Sequence, residues 1–269
     1  MSTDNLICRV AGAQLFPRSL RLRYFMWPTI GLLLTVSLIP FTDTTYGWIH
    51  SMLRSMPLDE VFSTTRQITG VTVLGTIFLV FLFIAPSGLR RCSWWLAVAL
   101  LLGCAVNSGV KELAGRVRPE FGIGIQQMSA EDDGYRRMKD FIDSHPGTAL
   151  RLEQKDQWLL LKSGRPWGES MTVSFPSGHS MTAFCLAAFF SVLFPRGKWL
   201  WYLWAWGCAL SRVWGRRHYI DDALMGAVVG HLSFLFASSW AWPGAIGSMA
   251  EDLLKKCHLI SESVSEDAE

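Results

Sequence analysis

Long apolar blocks, separated by charged residues, divide this chain into six segments. Within each block the apolar positions are nearly continuous and do not alternate with polar ones, which is typical of helices in lipid. The six predicted spans lie at about residues 24–42, 67–89, 92–110, 171–195, 199–215 and 223–245. Because a helix needs about 20 residues to cross the hydrocarbon core, the pattern predicts an all-α protein, a polytopic six-transmembrane-helix bundle.

The fifth block is the weakest of these predictions. Only 13 uncharged residues, Trp199–Ser211, precede the charge of Arg212. A segment of that length is also typical of an interfacial or core helix. It is long enough to cross if Arg212 lies at the boundary with water and the helix continues through Trp214.

The composition supports a membrane protein with one domain. Half of the 269 residues are apolar and 17% are charged, whereas soluble domains average about 25% charged residues. Residues 1–250 are therefore predicted to form a single integral-membrane domain. No run of like charges indicates a nucleic-acid partner, and membrane lipids are the expected partners. The six cysteines include no CxxC pair, so we expect buried thiols and neither a disulfide framework nor a zinc site.

Basic residues indicate which ends of the spans face the cytoplasm. Arginines before the first span place the N-terminus inside by the positive-inside rule. Through six spans, the pairs Arg90/Arg91, Arg196/Lys198 and Lys255/Lys256 then fall on the same side. Both termini are predicted to be cytoplasmic, with residues 251–269 as a cytoplasmic tail.

The outer segments contain the exceptions to this charge pattern. Residues 119–170 form a long charged stretch between spans three and four, which we interpret as an extramembrane helical loop, or lid. Between spans five and six, Arg212, Arg216 and Arg217 oppose the positive-inside rule, which indicates an anionic ligand. For Arg216 and Arg217, contact with a phosphate or headgroup and contact with the lipid interface are both open.

Three stretches with titratable residues emerge on this outer face. They are KELAGRVRP at 111–119, FPSGH at 175–179 and SRVWGRRHYIDD at 211–222. Cationic side chains suited to phosphate oxygens come from Lys111, Arg118 and Arg212. Ser177 and Gly178 lie where a helix would begin after Pro176, and the amides at a helix start favour an anion.

Histidines add chemistry to these cations. His218 and Asp222 are four residues apart, so on a helix they would share a face. The carboxylate could then hold one ring nitrogen protonated and leave the other as a nucleophile. An ion pair that stabilises a helix end is the alternative for this pair. His179 brings a second imidazole to the same side of the membrane.

Together, the three motifs resemble the signature of the type 2 phosphatidic acid phosphatase (PAP2) superfamily. The matching residues are Lys111-x6-Arg118-Pro119, Pro176-Ser177-Gly178-His179 and Ser211-Arg212-x5-His218-x3-Asp222. The motifs cover residues from about 100 to 240, and the layout is most similar to the bacterial phosphatidylglycerophosphatase B type.

The resemblance implies a membrane lipid phosphatase that forms a phosphohistidine on the outer face. His218 would be the nucleophile, Asp222 would orient it, and His179 would act as general acid and then as general base. The implied phosphate-binding residues are Lys111, Arg118, Ser177, Gly178 and Arg212. No metal and no cofactor are implied, and the implied location is the bacterial inner membrane with the site on the periplasmic side.

Substrate and outcome stay open in the sequence. Phosphatidylglycerophosphate, undecaprenyl diphosphate, phosphatidic acid and lysophosphatidic acid all fit a lipid phosphate site. A lipid phosphotransferase would use the same phosphohistidine. A non-catalytic transporter or binding protein for anionic lipids would explain the cations but not the two histidines with a helix-spaced aspartate. The oligomeric state has no signal in the sequence.

Four histidines lie outside the motifs, at positions 50, 145, 231 and 258. We expect His231, in the last span, to form a hydrogen bond with a neighbouring helix, and a proton relay is the alternative. His50, in the first outer segment, is expected to be solvated.

Overall fold

Helices make up nearly all of the described chain. A computed structural model describes residues 18–55, 57, 60, 64, 76, 78–80, 82–85, 87–116, 118–119, 173–240 and 242–257. Its helices are α1 (Arg18–Leu38), α2 (Thr42–Arg54), α3 (Ser87–Ala114), α4 (Gly178–Leu193), α5 (Lys198–Trp214), α6 (Ile220–Ser239) and α7 (Trp242–Lys256). These ranges contain no β-sheet, so the prediction of an all-α fold is confirmed.

Two of these helices are long and apolar enough to cross a membrane. They are the Leu89–Ala114 part of α3 and the whole of α6. Helices α1 and α2 add a third span if they are taken together, because Phe25–Phe41 and Thr45–Leu53 meet at a bend of 102°. Helix α4 is apolar but only 16 residues long. The chain is therefore an integral membrane protein, whereas the count of six spans stays a prediction.

Several predicted segments fall outside the described residues. The second span lies mostly in that part, and so do almost all of the loop at 119–170 and the end of the tail, from residue 258. Of the arginines before the first span, Arg9 lies in that part too, whereas Arg18, Arg21 and Arg23 belong to α1. Nothing in the described helices tests these predictions.

Two charged residues lie inside a helix where a break between spans was expected. Arg90 and Arg91 belong to α3, which begins at Ser87. The helix accommodates them because Glu251 of α7, only 1% exposed, accepts a hydrogen bond from Arg91 Nε at 2.8 Å. Arg90 lies 3.8 Å from the other oxygen of the same carboxylate. The break therefore lies earlier than the charge pattern suggested, at the turn of Ile84 and Ala85, and Glu251 of α7 supplies the counterion for the arginines within α3.

The last predicted span, 223–245, is divided in two. Helix α6 ends at Ser239, and α7 continues through Lys256, so the expected tail begins within a helix. At the break, Trp95 Nε1 donates a hydrogen bond to the carbonyl of Trp240 at 3.0 Å. Lys255 Nζ lies 3.3 Å from Glu251, beside the basic start of α3. The basic residues of α3 and α7 therefore lie close together at one end of the bundle.

Helix α6 is the centre of the bundle and packs against α1, α3 and α4. Two glycines allow its closest contact. A β-carbon added at Gly226 would lie 2.3 Å from the carbonyl oxygen of Ser177, and one added at Gly230 would lie 2.0 Å from that of Met181. No side chain fits at either distance, so α4 and α6 are in backbone contact, as small residues spaced four apart permit. This contact fixes the start of α4 against the start of α6.

Helix α2 is sharply bent relative to α1 and packs against α5. The first predicted span, 24–42, ends earlier than expected, since α1 stops at Leu38 and a 3-10 turn, Ile39–Phe41, follows. Tyr46 and Leu53 of α2 are buried in the core cluster that includes Val213 of α5. The turn thereby brings α2 close to the third motif.

Candidate active site

The third motif forms a tight reversal between α5 and α6. Arg212 lies in the last turn of α5, and its carbonyl accepts hydrogen bonds from the amides of Arg217 and His218 at 3.0 and 3.2 Å. Arg216 adopts a φ of 55°, in the left-handed region that helix ends commonly use. The reversal places His218 directly beside Arg212, so the local backbone joins the predicted nucleophile to a predicted phosphate ligand.

His218 and Asp222 are close, but they do not share a helix. Helix α6 begins at Ile220, so His218 precedes it. Asp222 Oδ2 accepts a hydrogen bond from the amide of Tyr219 at 2.8 Å, which caps the helix, and lies 3.6 Å from His218 Nδ1. That distance exceeds a normal hydrogen bond, and catalytic hydrogen bonds often shorten when substrate binds. The two side chains are therefore close because of the turn before α6, and not because they share a helical face.

The second motif supplies the start of α4. Ser177 is the N-cap, and its Oγ accepts hydrogen bonds from the amide and the hydroxyl of Ser180 at 3.4 and 3.0 Å. The helix begins at Gly178, so Pro176 precedes the cap. The Ser177 amide donates to the backbone carbonyl of Asp222 at 3.0 Å and is therefore occupied. The other backbone amide predicted to bind an anion here is that of Gly178, at the first position of the helix.

The first motif is held by the residues just before PSGH. Gly115, with a φ of 58°, ends α3 in the left-handed conformation that glycine permits. The chain then runs alongside the second motif, where the amide of Ser174 donates to the carbonyl of Arg116 at 2.8 Å. Arg118 Nε donates to the carbonyl of Val173 at 3.3 Å. Backbone contacts thus bring Arg118 to the start of α4.

The ring of His218 is buried, at 2% exposure, and four predicted residues influence it electrostatically. Burial, which penalises the charged imidazolium, and the positive charges nearby hold the pKa of His218 well below its ordinary value of 6.5. The groups whose charges act on it are Arg118, Arg212, Lys111 and His179. At neutral pH the ring is therefore uncharged, the state that a nitrogen nucleophile requires.

One residue in contact with Asp222 was missed in the sequence analysis. Arg116 is completely buried, and its Nη1 donates to Asp221 Oδ2 and, at 2.7 Å, to Asp222 Oδ1. Its guanidinium also lies 4.0 Å from the centre of the Tyr219 ring. A signal was present in the sequence, because two adjacent aspartates at a buried helix start require a cation. The only remaining arginine of the first motif is Arg116.

Helix α2 completes the surroundings of this cluster. Thr42 Oγ1 donates to Asp221 Oδ2 at 3.5 Å, and the ring of Tyr46 meets that of Tyr219 edge-on at 5.3 Å. His50 is half-buried and stacks on Tyr46, so the expectation of a solvated ring was wrong. Residues far before the first motif therefore reach the third motif.

Comparison with known proteins identifies the family. The model of the PAP2 superfamily matches residues 93–244, more than half of the chain, and all three motifs lie within the match. This chain belongs to the PAP2 superfamily. It is a membrane phosphatase of the PAP2 type.

Three individual proteins are similar to this PAP2 protein. The bacitracin transport permease protein BcrC of Bacillus licheniformis is 36% identical over 70 residues, which are 26% of this chain and 34% of BcrC. The match thus spans about a third of that relative. The crystal structure of LpxE from Aquifex aeolicus has a TM-score of 0.49 at 19% identity, covering 74% of this chain and 96% of LpxE. That of a transmembrane PAP2-type phosphatidylglycerolphosphate phosphatase from Bacillus subtilis has a TM-score of 0.48 at 20% identity, covering 81% and 93%.

The chemistry that this PAP2 site offers is nucleophilic and cationic. Across the described ranges, no group of three or more His, Cys, Asp or Glu side chains is placed to hold a metal ion. A neutral imidazole beside a carboxylate, a second imidazole and several cations are the groups present around His218. Such a set can bind an anion, attack its central atom and protonate a leaving oxygen.

Proposed function

We propose that this PAP2 phosphatase hydrolyses a phosphomonoester or diphosphate of a membrane lipid through a phosphohistidine on His218. The observation that carries the proposal is the position of His218, which lies 3.6 Å from Asp222 and is influenced by the cations Lys111, Arg118 and Arg212 of the first and third motifs. A nucleophile, its orienting carboxylate and anion-binding groups are thereby close together. Phosphoryl transfer requires little more than positioning and charge stabilisation.

In the proposed first step, His218 attacks the phosphorus. Asp222 faces Nδ1, so the attacking atom is Nε2, and the carboxylate stabilises the positive charge that forms on the ring. As the nitrogen–phosphorus bond forms, the ester oxygen leaves and takes a proton from His179. His179 then removes a proton from water, whose oxygen displaces the histidine and releases phosphate. General acid–base catalysis by a side chain such as His179 typically increases the rate by about 10²–10⁴-fold.

Cations would stabilise the charge on the transferred group. The proposed ligands of the phosphate oxygens are Lys111, Arg118, Ser177, Gly178 and Arg212. Arg118 and Arg212 are largely buried, at 9% and 7% exposure. Charges in such an environment act more strongly than in water. For Ser177 the hydroxyl is the proposed ligand, because its amide is bonded to Asp222.

The proposed topology places this site on the periplasmic side of a bacterial inner membrane, with both termini in the cytoplasm. The basic residues of α3 and α7, Arg91 and Lys255, lie together near Glu251, away from the three motifs. That separation supports the topology, because positive-inside residues are expected opposite an outer-face site.

Phosphatidylglycerophosphate and undecaprenyl diphosphate are the proposed substrates, with phosphatidic acid as a third. A lipid phosphotransferase is the alternative outcome of the same phosphohistidine. The sharpest experiment measures phosphate release by the purified protein in detergent on a panel of these lipids, with and without a lipid alcohol as acceptor. Transfer to the alcohol in place of phosphate release would identify the phosphotransferase.

His218→Ala is the control that tests the mechanism. It should abolish turnover on every lipid, vanadate should inhibit the wild type as a phosphate mimic, and EDTA should leave the activity unchanged. Near-normal phosphate release by His218→Ala would overturn the proposal. An inactive wild type that still binds anionic lipids would instead identify a non-catalytic binding protein.

A further inference from the structure

Two negative charges lie next to each other at the buried start of α6. Asp221 and Asp222 are both completely buried. The PAP2 signature specifies only Asp222, and it leaves positions 116 and 221 unspecified. Like charges this close strongly oppose each other's ionisation in a medium of low dielectric constant. A negative charge on Asp221 therefore disfavours the ionised form of Asp222.

The contacts of Asp222 show what its two oxygens do. Oδ1 accepts from Arg116 Nη1 at 2.7 Å. Oδ2 accepts from the amide of Tyr219 at 2.8 Å and is the oxygen that lies 3.6 Å from His218 Nδ1. One donor on each oxygen fixes the plane of the carboxylate, so its orientation towards His218 depends on Arg116.

We propose that Arg116 is a positioning residue of the reaction, which offsets the charge of Asp221 and holds Asp222 ionised with Oδ2 towards His218. The proposal rests on the proposed function of His218 as nucleophile. Arg116 Nη1 is engaged by both aspartates, so Arg116 is proposed to act through Asp222 and not as a phosphate ligand. Tyr219 and Thr42 support it, through a cation–π contact at 4.0 Å and a hydrogen bond to Asp221 at 3.5 Å.

Charge balance gives this proposal a specific test. The cluster holds one positive and two negative charges. The net charge of the cluster is therefore −1 in the wild type and −2 in Arg116→Gln. The double variant Arg116→Gln/Asp221→Asn restores a net charge of −1. The glutamine amide can still donate to Asp222 Oδ1. The double variant should therefore recover what the single variant loses.

The assay is hydrolysis of dioctanoyl phosphatidic acid by the purified full chain in detergent, with kcat, KM and vanadate inhibition measured separately. Misplacing a catalytic group by about 1 Å can cost roughly 10²-fold, so Arg116→Gln should lower kcat by about that factor. KM and the vanadate inhibition constant should change by less than about threefold, because no phosphate ligand is lost. The double variant should regain kcat to within about tenfold of the wild type.

Two matched variants separate positioning from other roles. Arg118→Gln, two residues away, removes a proposed phosphate ligand and should weaken vanadate inhibition. Arg91→Gln removes the partner of the buried carboxylate of Glu251 at the far end of α3, and it should lower the melting temperature without changing kcat. An Arg116→Gln variant that behaves like either of these overturns the proposal.

The remaining outcomes are equally decisive. If Arg116→Gln does not fold, the double variant carries the test alone. A double variant that folds and has a kcat within about tenfold of the wild type supports the proposal. A larger loss of kcat, or a double variant that does not fold, overturns it. A wild type that hydrolyses no lipid would refute the proposed function instead. Full activity of Arg116→Gln beside an inactive His218→Ala would refute only the role of Arg116.

Discussion

The backbone amide of Ser177 donates to the backbone carbonyl of Asp222 at 3.0 Å and joins the start of α4 to the start of α6. A second backbone bond, from Ser174 to Arg116, joins the first motif to the second. Neither bond depends on the side chain of the residue that makes it. The geometry of the site is thus determined by how closely the helices approach, and the glycines of α6 control that approach.

Gly226→Ala and Gly230→Ala should each reduce both stability and turnover. The added β-carbon would meet the backbone carbonyl of Ser177 at 2.3 Å or that of Met181 at 2.0 Å, so α4 must move away from α6. Overpacking of this kind typically costs about 1–3 kcal/mol, and the displaced PSGH segment should lower kcat by about tenfold or more. Melting temperature and kcat in detergent measure the two effects.

Gly109→Ala on α3 is the matched control for these variants. A β-carbon there meets no atom within 4 Å. The substitution should leave kcat unchanged and stabilise the helix by up to about 1 kcal/mol, because alanine favours helix more than glycine does. Equal losses in all three variants would refute the role assigned to the contact between α4 and α6.

The acid limb of kcat/KM should lie below pH 6.5. Burial and the nearby cations hold the pKa of His218 well below its ordinary value of 6.5, so the free enzyme keeps a neutral nucleophile into the acidic range. The same shift affects stability, because a histidine that stays neutral when folded binds its proton more readily when unfolded. Stability should therefore fall as the pH drops below 6.5, and less so in His218→Gln.

This prediction is checked by kcat/KM profiles and by melting temperatures from pH 4.5 to 8. Solubility of the lipid is controlled for by repeating the profile at two detergent concentrations. An acid limb at or above pH 6.5 would contradict the buried, cation-flanked environment of His218.

His179→Asn should trap a phosphorylated enzyme. If His179 activates the water that releases phosphate, its loss slows the second step by about 10²–10⁴-fold. A substrate with an acidic leaving group, such as a nitrophenyl phosphate, needs little protonation and should still phosphorylate His218. Acid-labile phosphate on the protein, followed by mass spectrometry, measures the trapped species.

The comparison variant is His179→Asn combined with His218→Asn. It should carry no phosphate, since the accepting nitrogen is absent. Labelling that persists in this double variant would place the phosphate on another residue and reject His218 as the nucleophile.

Local patterns predicted much of this site, and long-range contacts account for what was missed. The all-helical fold followed from the apolar blocks, and PSGH indicated the start of α4, which begins at Gly178. The spacing of His218 and Asp222 suggested proximity, although the helix begins only at Ile220. Arg116 was missed because its partners are more than 100 residues away. The adjacent aspartates indicated that a cation was needed, but spacing along the chain does not show which residue supplies it.

Charge patterns were the least reliable guide to helix boundaries. Arg90 and Arg91 suggested a loop, yet both lie within α3, which begins at Ser87, and Glu251 lies beside them. A charge that ends a span in an isolated sequence can be accommodated when another helix supplies its counterion. Only the packed bundle reveals that counterion.

His231 should be dispensable for turnover. Its Nδ1 lies 3.1 Å from the hydroxyl of Tyr202, so α5 and α6 share a hydrogen bond, which confirms the expectation of a bond to a neighbouring helix. His231→Ala should keep kcat within about threefold and lower stability, because interhelical hydrogen bonds in membranes contribute about 0.6 kcal/mol on average. Tyr202→Phe removes the same bond from the other side. In a double-mutant cycle the two losses should therefore not add. If His231 relayed protons to the site instead, His231→Ala would slow turnover far more than Tyr202→Phe, and the loss would grow with the proton requirement of the leaving group.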